Sequence, residues 1–368
     1  MSHRRDVLAT IGAGGAAVLA GCGLVTSTGS DGTATRRITD GAGRSVEVPG
    51  TVDRLVAVGP GALRQVAYLE ATDRVVGVED AEKGWARTVP YNLANPELRD
   101  RPVIGAAGPN AGGNSEAIIA QDPDLILFYG DPSRAASLQS QTETPVVVLR
   151  VVDFVTADAR ETMFETWRLV GRILGTEDRA QELVETVRTT IDDLEERVAD
   201  LPESDRAEAY VGAINYKGAH GLATTRNPFP PFRFVNANNV ARGVETDSAS
   251  VQVSRERLLT WDPPTVFVST ANLRRVREDV GKHPELGRID ALERDRVYSI
   301  LPHASYHHNY GSILANAYFV GKTLYPDRFG DVSIPTITDD LFETLLGKPL
   351  YGELMDVHEA YERLDLAE

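Results

Sequence analysis

Ser115-Glu116-Ala117-Ile118-Ile119-Ala120-Gln121-Asp122-Pro123, followed by the apolar run Leu125–Phe128, has an echo in the second half of the chain. The echo is Ser254-Arg255-Glu256-Arg257-Leu258-Leu259-Thr260-Trp261-Asp262-Pro263, followed by Thr265–Val268. In both copies a Glu near a helix start precedes an Asp-Pro pair by six residues, and an apolar strand comes next. The proline stops the helix and biases its neighbour toward extended backbone. Two such units predict two α/β lobes of like construction, each presenting a Glu at a comparable place on its surface.

Around these units, short apolar runs alternate with helical patterns, which argues for parallel sheets. The runs are Leu55–Val58, Val75–Val78 and Val146–Leu149 in the first half, and Glu208–Ile214 and Val297–Ile300 in the second. A hairpin, Arg36–Thr39 with Ser45–Val48, precedes them, and a helical pattern at Ser312–Leu324 follows. Between the halves, Leu183, Val184, Val187, Ile191, Leu194 and Val198 fall at helical spacing. They predict one long helix over 177–199, with Thr176 as its cap and Pro202 beyond its end. The expected fold is therefore two Rossmann-like α/β lobes, 37–175 and 202–368, joined by a single long helix over 176–201, with a ligand cleft between the lobes.

The 368 residues carry 54 Asp plus Glu against 38 Lys plus Arg, a net charge of −16. Only five of the 38 bases are Lys. Such a surface keeps a protein solvated in strong salt, where screening lengths shrink to roughly 3 Å; it is equally the surface of an ordinary acidic protein. No basic face is evident, so nucleic acid is excluded as a partner.

Residues 1–22 read as an address. Arg4-Arg5 precedes a short apolar stretch, Val7–Ala20, which is too short to span a bilayer. This is the pattern of a twin-arginine export signal. It ends in Leu19-Ala20-Gly21-Cys22, which resembles a lipobox and contains the chain's one cysteine. A lipidated Cys22 would hold the protein at the outer face of the cell membrane, with the Gly-, Ser- and Thr-rich residues 23–36 as a flexible tether.

The hairpin Thr39-Asp40-Gly41-Ala42-Gly43-Arg44-Ser45-Val46-Glu47-Val48-Pro49 and the following Arg54-Leu55-Val56-Ala57-Val58 resemble the opening of the iron-siderophore and cobalamin binding proteins of ABC importers. So do the two Glu-to-Asp-Pro segments and the late stretch His283-Pro284-Glu285-Leu286 through Arg296-Val297-Tyr298. The resemblance covers roughly residues 36–350. It implies an extracytoplasmic lipoprotein, not an enzyme, with no intrinsic cofactor. Such a protein captures an iron complex (siderophore or haem) or a corrinoid and delivers it to a permease dimer with its ATPase subunits. It also implies that one surface Glu per lobe, here Glu116 and Glu256, docks on permease arginines. A Glu in a first helical turn is favoured by the macrodipole in any case.

Ligand contacts are expected on loops that follow strands. In the first lobe these are Pro60, Gly61 and Arg64, then Tyr129, with Trp85 in a polar insertion where core burial competes. In the second lobe, Lys217, His220, Arg226 and Arg233 stand among aromatics in a long loop, which suits a planar or anionic metal chelate. The densest cluster is His303, Tyr306, His307 and His308, three of the chain's seven histidines within six residues. Imidazole ligates transition metals, so His303, His307 and His308 are also candidate metal ligands. The rival readings are a receptor for a bare transition-metal ion and a metal-dependent hydrolase. The recognisable hydrolase motifs are absent from the sequence.

Overall fold

The computed structural model describes residues 35–85, 88–108, 110, 112–214, 221–244 and 250–366. The hairpin forms from β1 (Thr35–Thr39) and β2 (Ser45–Pro49), paired antiparallel. Its turn is pinned by Asp40, whose carboxylate accepts from the Ala42 and Arg44 amides and from the Val148 amide.

The first lobe contains β3 (Leu55–Val58), α1 (Ala62–Tyr68), β4 (Val75–Gly77), α2 (Asp80–Trp85), α3 (Pro90–Ala94), α4 (Ser115–Ile119), β5 (Leu125–Phe128), α5 (Pro132–Thr142) and β6 (Val146–Val148). Its sheet is parallel with order β4-β3-β5-β6. Two helices then run side by side, α6 (Ala157–Leu174) and α7 (Glu177–Glu196). The second lobe contains β7 (Glu208–Gly212), β8 (Thr224–Thr225), α8 (Pro230–Phe234), β9 (Asn238–Asn239), β10 (Val251–Gln252), α9 (Arg255–Trp261), β11 (Val266–Ser269), α10 (Leu273–Lys282), α11 (Asp290–Glu293) and β12 (Val297–Ile300). Three helices close the chain: α12 (Tyr310–Leu324), α13 (Ile334–Leu346) and α14 (Tyr351–His358). The second lobe's main sheet is parallel with order β12-β11-β7-β9.

Numbered within each lobe, both sheets have the order 2-1-3-4, so the sequence echo is an echo of topology. The match extends to the backbone. The Asn114 side chain caps α4 and that of Ser254 caps α9. Asp122 and Asp262 both take left-handed φ, 46° and 42°, ahead of their prolines. In this order the switch point lies between the first and third strands, where the loops diverge and leave a crevice.

The helix expected over 177–199 is α7, ending at Glu196. Thr176 stands at its N-cap but makes no side-chain capping bond; its Oγ1 is buried and unpartnered. Nor does α7 join the lobes alone. A Cβ at Gly171 of α6 would lie 2.8 Å from Ala180 Cβ, so the α6–α7 contact depends on that glycine. One apolar cluster runs from Leu55 and Leu127 through Trp167, Leu183 and Leu194 to Phe267, Ile313 and Phe342. The lobes therefore share a packed base.

Candidate functional site

The cleft is built on the first lobe by the turn after β3. Gly61 starts α1 at φ 79°, in the left-handed region that a Cβ resists. Gln65 holds this turn from below, donating to the Gly61 carbonyl and accepting from Trp167 Nε1 at 2.8 Å. From the second lobe, the segment after β12 folds into a tight loop. Ala304 and His308 form an antiparallel bridge, and the Ser305 and Asn309 amides donate to the carbonyls of His307 and His303. At its tip Tyr306 and His307 have φ of 48° and 90°, unusual for residues with a Cβ. Backbone strain of this kind persists where surrounding contacts fix it.

Those contacts come from the opposite lobe. Arg64 is buried in α1 and donates to the carbonyls of Ser305 at 2.6 Å and Tyr306 at 3.4 Å. Its guanidinium lies 4.8 Å from the centre of the Tyr91 ring. The Tyr306 hydroxyl donates to Glu79 at 2.8 Å and accepts from the Gly108 amide at 3.0 Å. His307 packs edge-on to Tyr129, with Nε2 3.2 Å from the phenol oxygen, and a Cβ on Gly61 would come within 2.9 Å of its own Cβ. Behind the loop, Tyr310 opens α12 by inserting among Tyr68, Phe154 and Trp167, stacking on Phe154 at 4.3 Å. Arg226 pairs with Asp153 of the first lobe, and its Nη1 lies 3.4 Å from His303 Nε2.

The electrostatics follow from this enclosure. Burial pushes His303 down to about 3, with the Arg226 charge adding to it. Burial also lowers His307 to about 3, reinforced by Arg64 and Arg226, and holds His308 well below the ordinary imidazole range. All three rings are neutral at pH 7. Burial raises the Glu79 carboxyl to about 7 and also raises that of Glu82, which accepts from Tyr91 and Asn92. Beside the loop a cavity of about 310 Å³ opens between the lobes, bounded by Thr88, Thr270, Pro302, Ser305, Asn309 and Ser312.

The structure thus brings together Gly61, Arg64, Tyr129, Arg226, His303, Tyr306, His307 and His308. Pro60 is half-buried at the same turn, whereas Arg233 is exposed on α8. Lys217, His220 and the side chain of Trp85 lie outside the described residues, as does Cys22. Arg64 directs its Nη donors to the histidine loop and braces it. One expectation changes. His303, His307 and His308 do not converge as one metal-ligand set: the His307 and His308 rings lie 4.5 Å apart, while His303 turns to Arg226 and Phe229. Among the described residues, no three His, Cys, Asp or Glu side chains are grouped to hold a metal ion. Glu79, Glu82, Asp153 and Gly108 were not expected in the site. Glu116 and Glu256 are exposed, each in the first turn of its helix.

Residues 55–304 match the family model described as periplasmic binding protein. The chain belongs to the periplasmic binding protein family. Among curated relatives, it is 24% identical over 345 residues to the molybdate-binding protein MolA of Haemophilus influenzae, spanning 87% of this chain and 93% of that one. It is 24% identical over 234 residues to the cobalamin-binding protein of Halobacterium salinarum, covering 63% of this chain and 58% of that protein. The Fe(3+)-citrate-binding protein YfmC of Bacillus subtilis is 22% identical over 217 residues, 57% of this chain and 66% of that one. In fold, it matches molybdate-bound MolA with a TM-score of 0.69 at 21% identity, over 85% of this chain and 98% of that one. A periplasmic solute binding protein from Veillonella parvula matches with a TM-score of 0.71 at 17% identity, over 89% and 97%. As a periplasmic binding protein, the chain is an extracytoplasmic substrate-binding component of an ABC importer and not an enzyme. No helix among the described residues is long and apolar enough to cross a membrane.

Proposed function

We propose that this binding protein captures a compact metal oxyanion of the molybdate type and delivers it to its permease. One observation carries the reading. Three buried nitrogens in the site have no hydrogen-bond partner: Arg64 Nε, His307 Nδ1 and His308 Nδ1. Each can donate an N–H, and a buried unpaired donor costs about 1–3 kcal/mol, which an acceptor oxygen would relieve. The Arg64 and Arg226 charges that depress the imidazoles favour an anion for the same reason. The relationship to MolA, whose named ligand is molybdate, agrees with this chemistry and spans most of both chains.

A bare cation would meet the guanidinium charges of Arg64 and Arg226. A compact ferric chelate shares the anionic charge and is the second reading, supported by the Fe(3+)-citrate relative. Titration calorimetry with molybdate, tungstate, ferric citrate and cobalamin tests the proposal. Saturable molybdate or tungstate binding that weakens on replacing His307 and His308 with Ala is expected. Binding of ferric citrate or cobalamin without either oxyanion would overturn it.

On the same reading the protein is anchored through lipidated Cys22 after twin-arginine export, with residues 37–175 and 202–368 as lobes around the connecting helix. Glu116 and Glu256 are its permease contacts. Cys22→Ser should move the protein from the membrane to the soluble fraction; retention in the membrane would remove the anchor.

A further inference from the structure

The Tyr306 hydroxyl bonds two neighbouring first-lobe elements at once. Glu79 follows β4, and its other carboxylate oxygen accepts from the Gly59 amide at 3.2 Å, within the turn that forms the cleft wall. Gly108 belongs to the glycine-rich segment that leads into α4. The start of that segment is tied to the end of β4, where the Val78 amide donates to the Pro102 carbonyl and the Ile104 amide to the Val78 carbonyl. The Asp80 amide donates to the Gly105 carbonyl at 2.9 Å, and Asp80 Oδ1 accepts from the Ala107 amide at 2.8 Å. The segment closes on itself where the Asn114 amide donates to the Ile104 carbonyl at 2.7 Å. Asn114 is also the residue whose side chain caps α4, two positions before Glu116. Gly105 and Gly113, at φ 149° and 70°, adopt conformations that residues with a Cβ resist. The run from the cleft to the Glu116 turn is thus joined by hydrogen bonds from the end of β4 to Asn114, and at Gly108 Tyr306 is the second lobe's hold on it.

The loop that carries Tyr306 also carries His307 and His308, with their unpartnered nitrogens, and has strained backbone at its tip. A ligand that engages those nitrogens acts on the same tip that Tyr306 anchors. We propose that Tyr306 is an occupancy latch: in the empty protein its hydroxyl holds Gly108 and restrains the segment feeding α4, and ligand capture releases it. The docking turn at Glu116 then differs between empty and loaded protein, giving the permease a way to tell them apart. This rests on the binding-protein reading and on Glu116 as a permease contact. The coupling needs only an element with two arrangements that both sites bias.

Hydrogen–deuterium exchange of peptides spanning 104–119 tests the latch in the full mature chain. Tyr306→Phe, without ligand, should speed exchange around Gly108 by up to about tenfold, the factor for losing one ordinary hydrogen bond. Molybdate should speed it in the wild-type protein and add nothing in Tyr306→Phe. Tyr318→Phe removes a hydroxyl that donates to Asp193 away from the cleft and should leave exchange at the wild-type rate, which separates the latch from general loosening of the fold. Unchanged exchange in Tyr306→Phe would overturn the proposal. So would unchanged exchange in wild-type protein that calorimetry shows to be saturated with molybdate. A chain that takes up no molybdate overturns the oxyanion reading alone, and the comparison of Tyr306→Phe with wild type still decides the latch.

Discussion

Arg226 of the second lobe donates through Nη2 to Asp153 of the first, with side-chain exposures of only 9% and 20%. The pair crosses the junction beside His303 and is separated by 73 residues in sequence. Breaking a buried pair leaves one charge uncompensated in a poorly solvated place, which costs more than the pair's net worth. Arg226→Ala should destabilise the fold by about 3 kcal/mol. The Arg226→Ala/Asp153→Ala double variant should recover part of that loss. Urea unfolding of the four proteins of the cycle reads the coupling; strict additivity would show that the two groups act independently.

Anion affinity should rise as pH falls from 8 to 5. His303 and His307 are held down to about 3 in the empty protein, and a bound dianion favours their charged forms. Binding then takes up protons, and each proton taken up gives at most about a tenfold gain in affinity per pH unit. Calorimetry in buffers of different ionisation heat counts them. A pH-independent affinity with no proton uptake would place the anion away from these rings.

Glu79 and the histidines pull stability in opposite directions with pH. The Glu79 carboxyl rises from 4.5 to about 7, chiefly through burial and against its bonds from Tyr306 and Gly59; the nearby Glu82 and Asp80 add to the rise. A raised acid contributes its stability fully below 4.5 and loses it as pH climbs through 7. The depressed histidines do the reverse: they cost nothing above about 6.5 and destabilise as pH falls toward 3, because the unfolded chain takes up protons first. Glu79→Gln removes the first effect alone. Its melting temperature relative to wild type should climb from pH 5 to pH 8, by the equivalent of up to about 3 kcal/mol. A difference that stays constant across that range would show that Glu79 titrates normally.

Gly61 and Gly43 share nearly the same left-handed φ, 79° and 77°. A Cβ on Gly43 meets nothing within 4 Å, whereas one on Gly61 meets His307 Cβ at 2.9 Å. Gly43→Ala should therefore cost only backbone strain, about 1 kcal/mol. Gly61→Ala should cost more and also weaken anion binding, because His307 must move. Equal losses in thermal melts, with binding intact in both, would show that the histidine loop is not seated on this turn.

Charge reversal at Glu116 and Glu256 together should lower uptake in cells by about tenfold or more, through lost complementarity with the permease. Anion affinity of the purified variant should stay within about twofold, since both residues are exposed and stand on α4 and α9 rather than on the cleft loops. Lost affinity would reassign them from docking to the site.

The sheets were legible because buried parallel strands read as unbroken apolar runs. Leu55–Val58 and Leu125–Phe128 are buried at every position, and both were expected at those bounds. The histidine loop stood out by residue density alone. Glu79, Glu82 and Asp153 did not, because an acid in an acidic chain reads as solvated surface. The tyrosine that bonds Glu79 is 227 residues away, and no local pattern encodes that pairing. Arg64 was found, but its task was not: a sequence marks a guanidinium and does not say that its donors end on the carbonyls of Ser305 and Tyr306.

The last helices return to the first lobe. Lys348 donates to the Leu93 carbonyl, His358 Nε2 lies 2.8 Å from the Thr88 carbonyl, and α13 packs on α1 and α3. During synthesis the β6 strand, at Val146–Val148, leaves the ribosome some 200 residues before His358 does. At ~5–20 residues per second that gap lasts on the order of 10–40 s. Through it the outer side of α1, all of whose residues end up buried, has no cover. The nascent chain thus carries a sticky surface until translation is nearly finished, and a chaperone that shields apolar segments would have its longest task there.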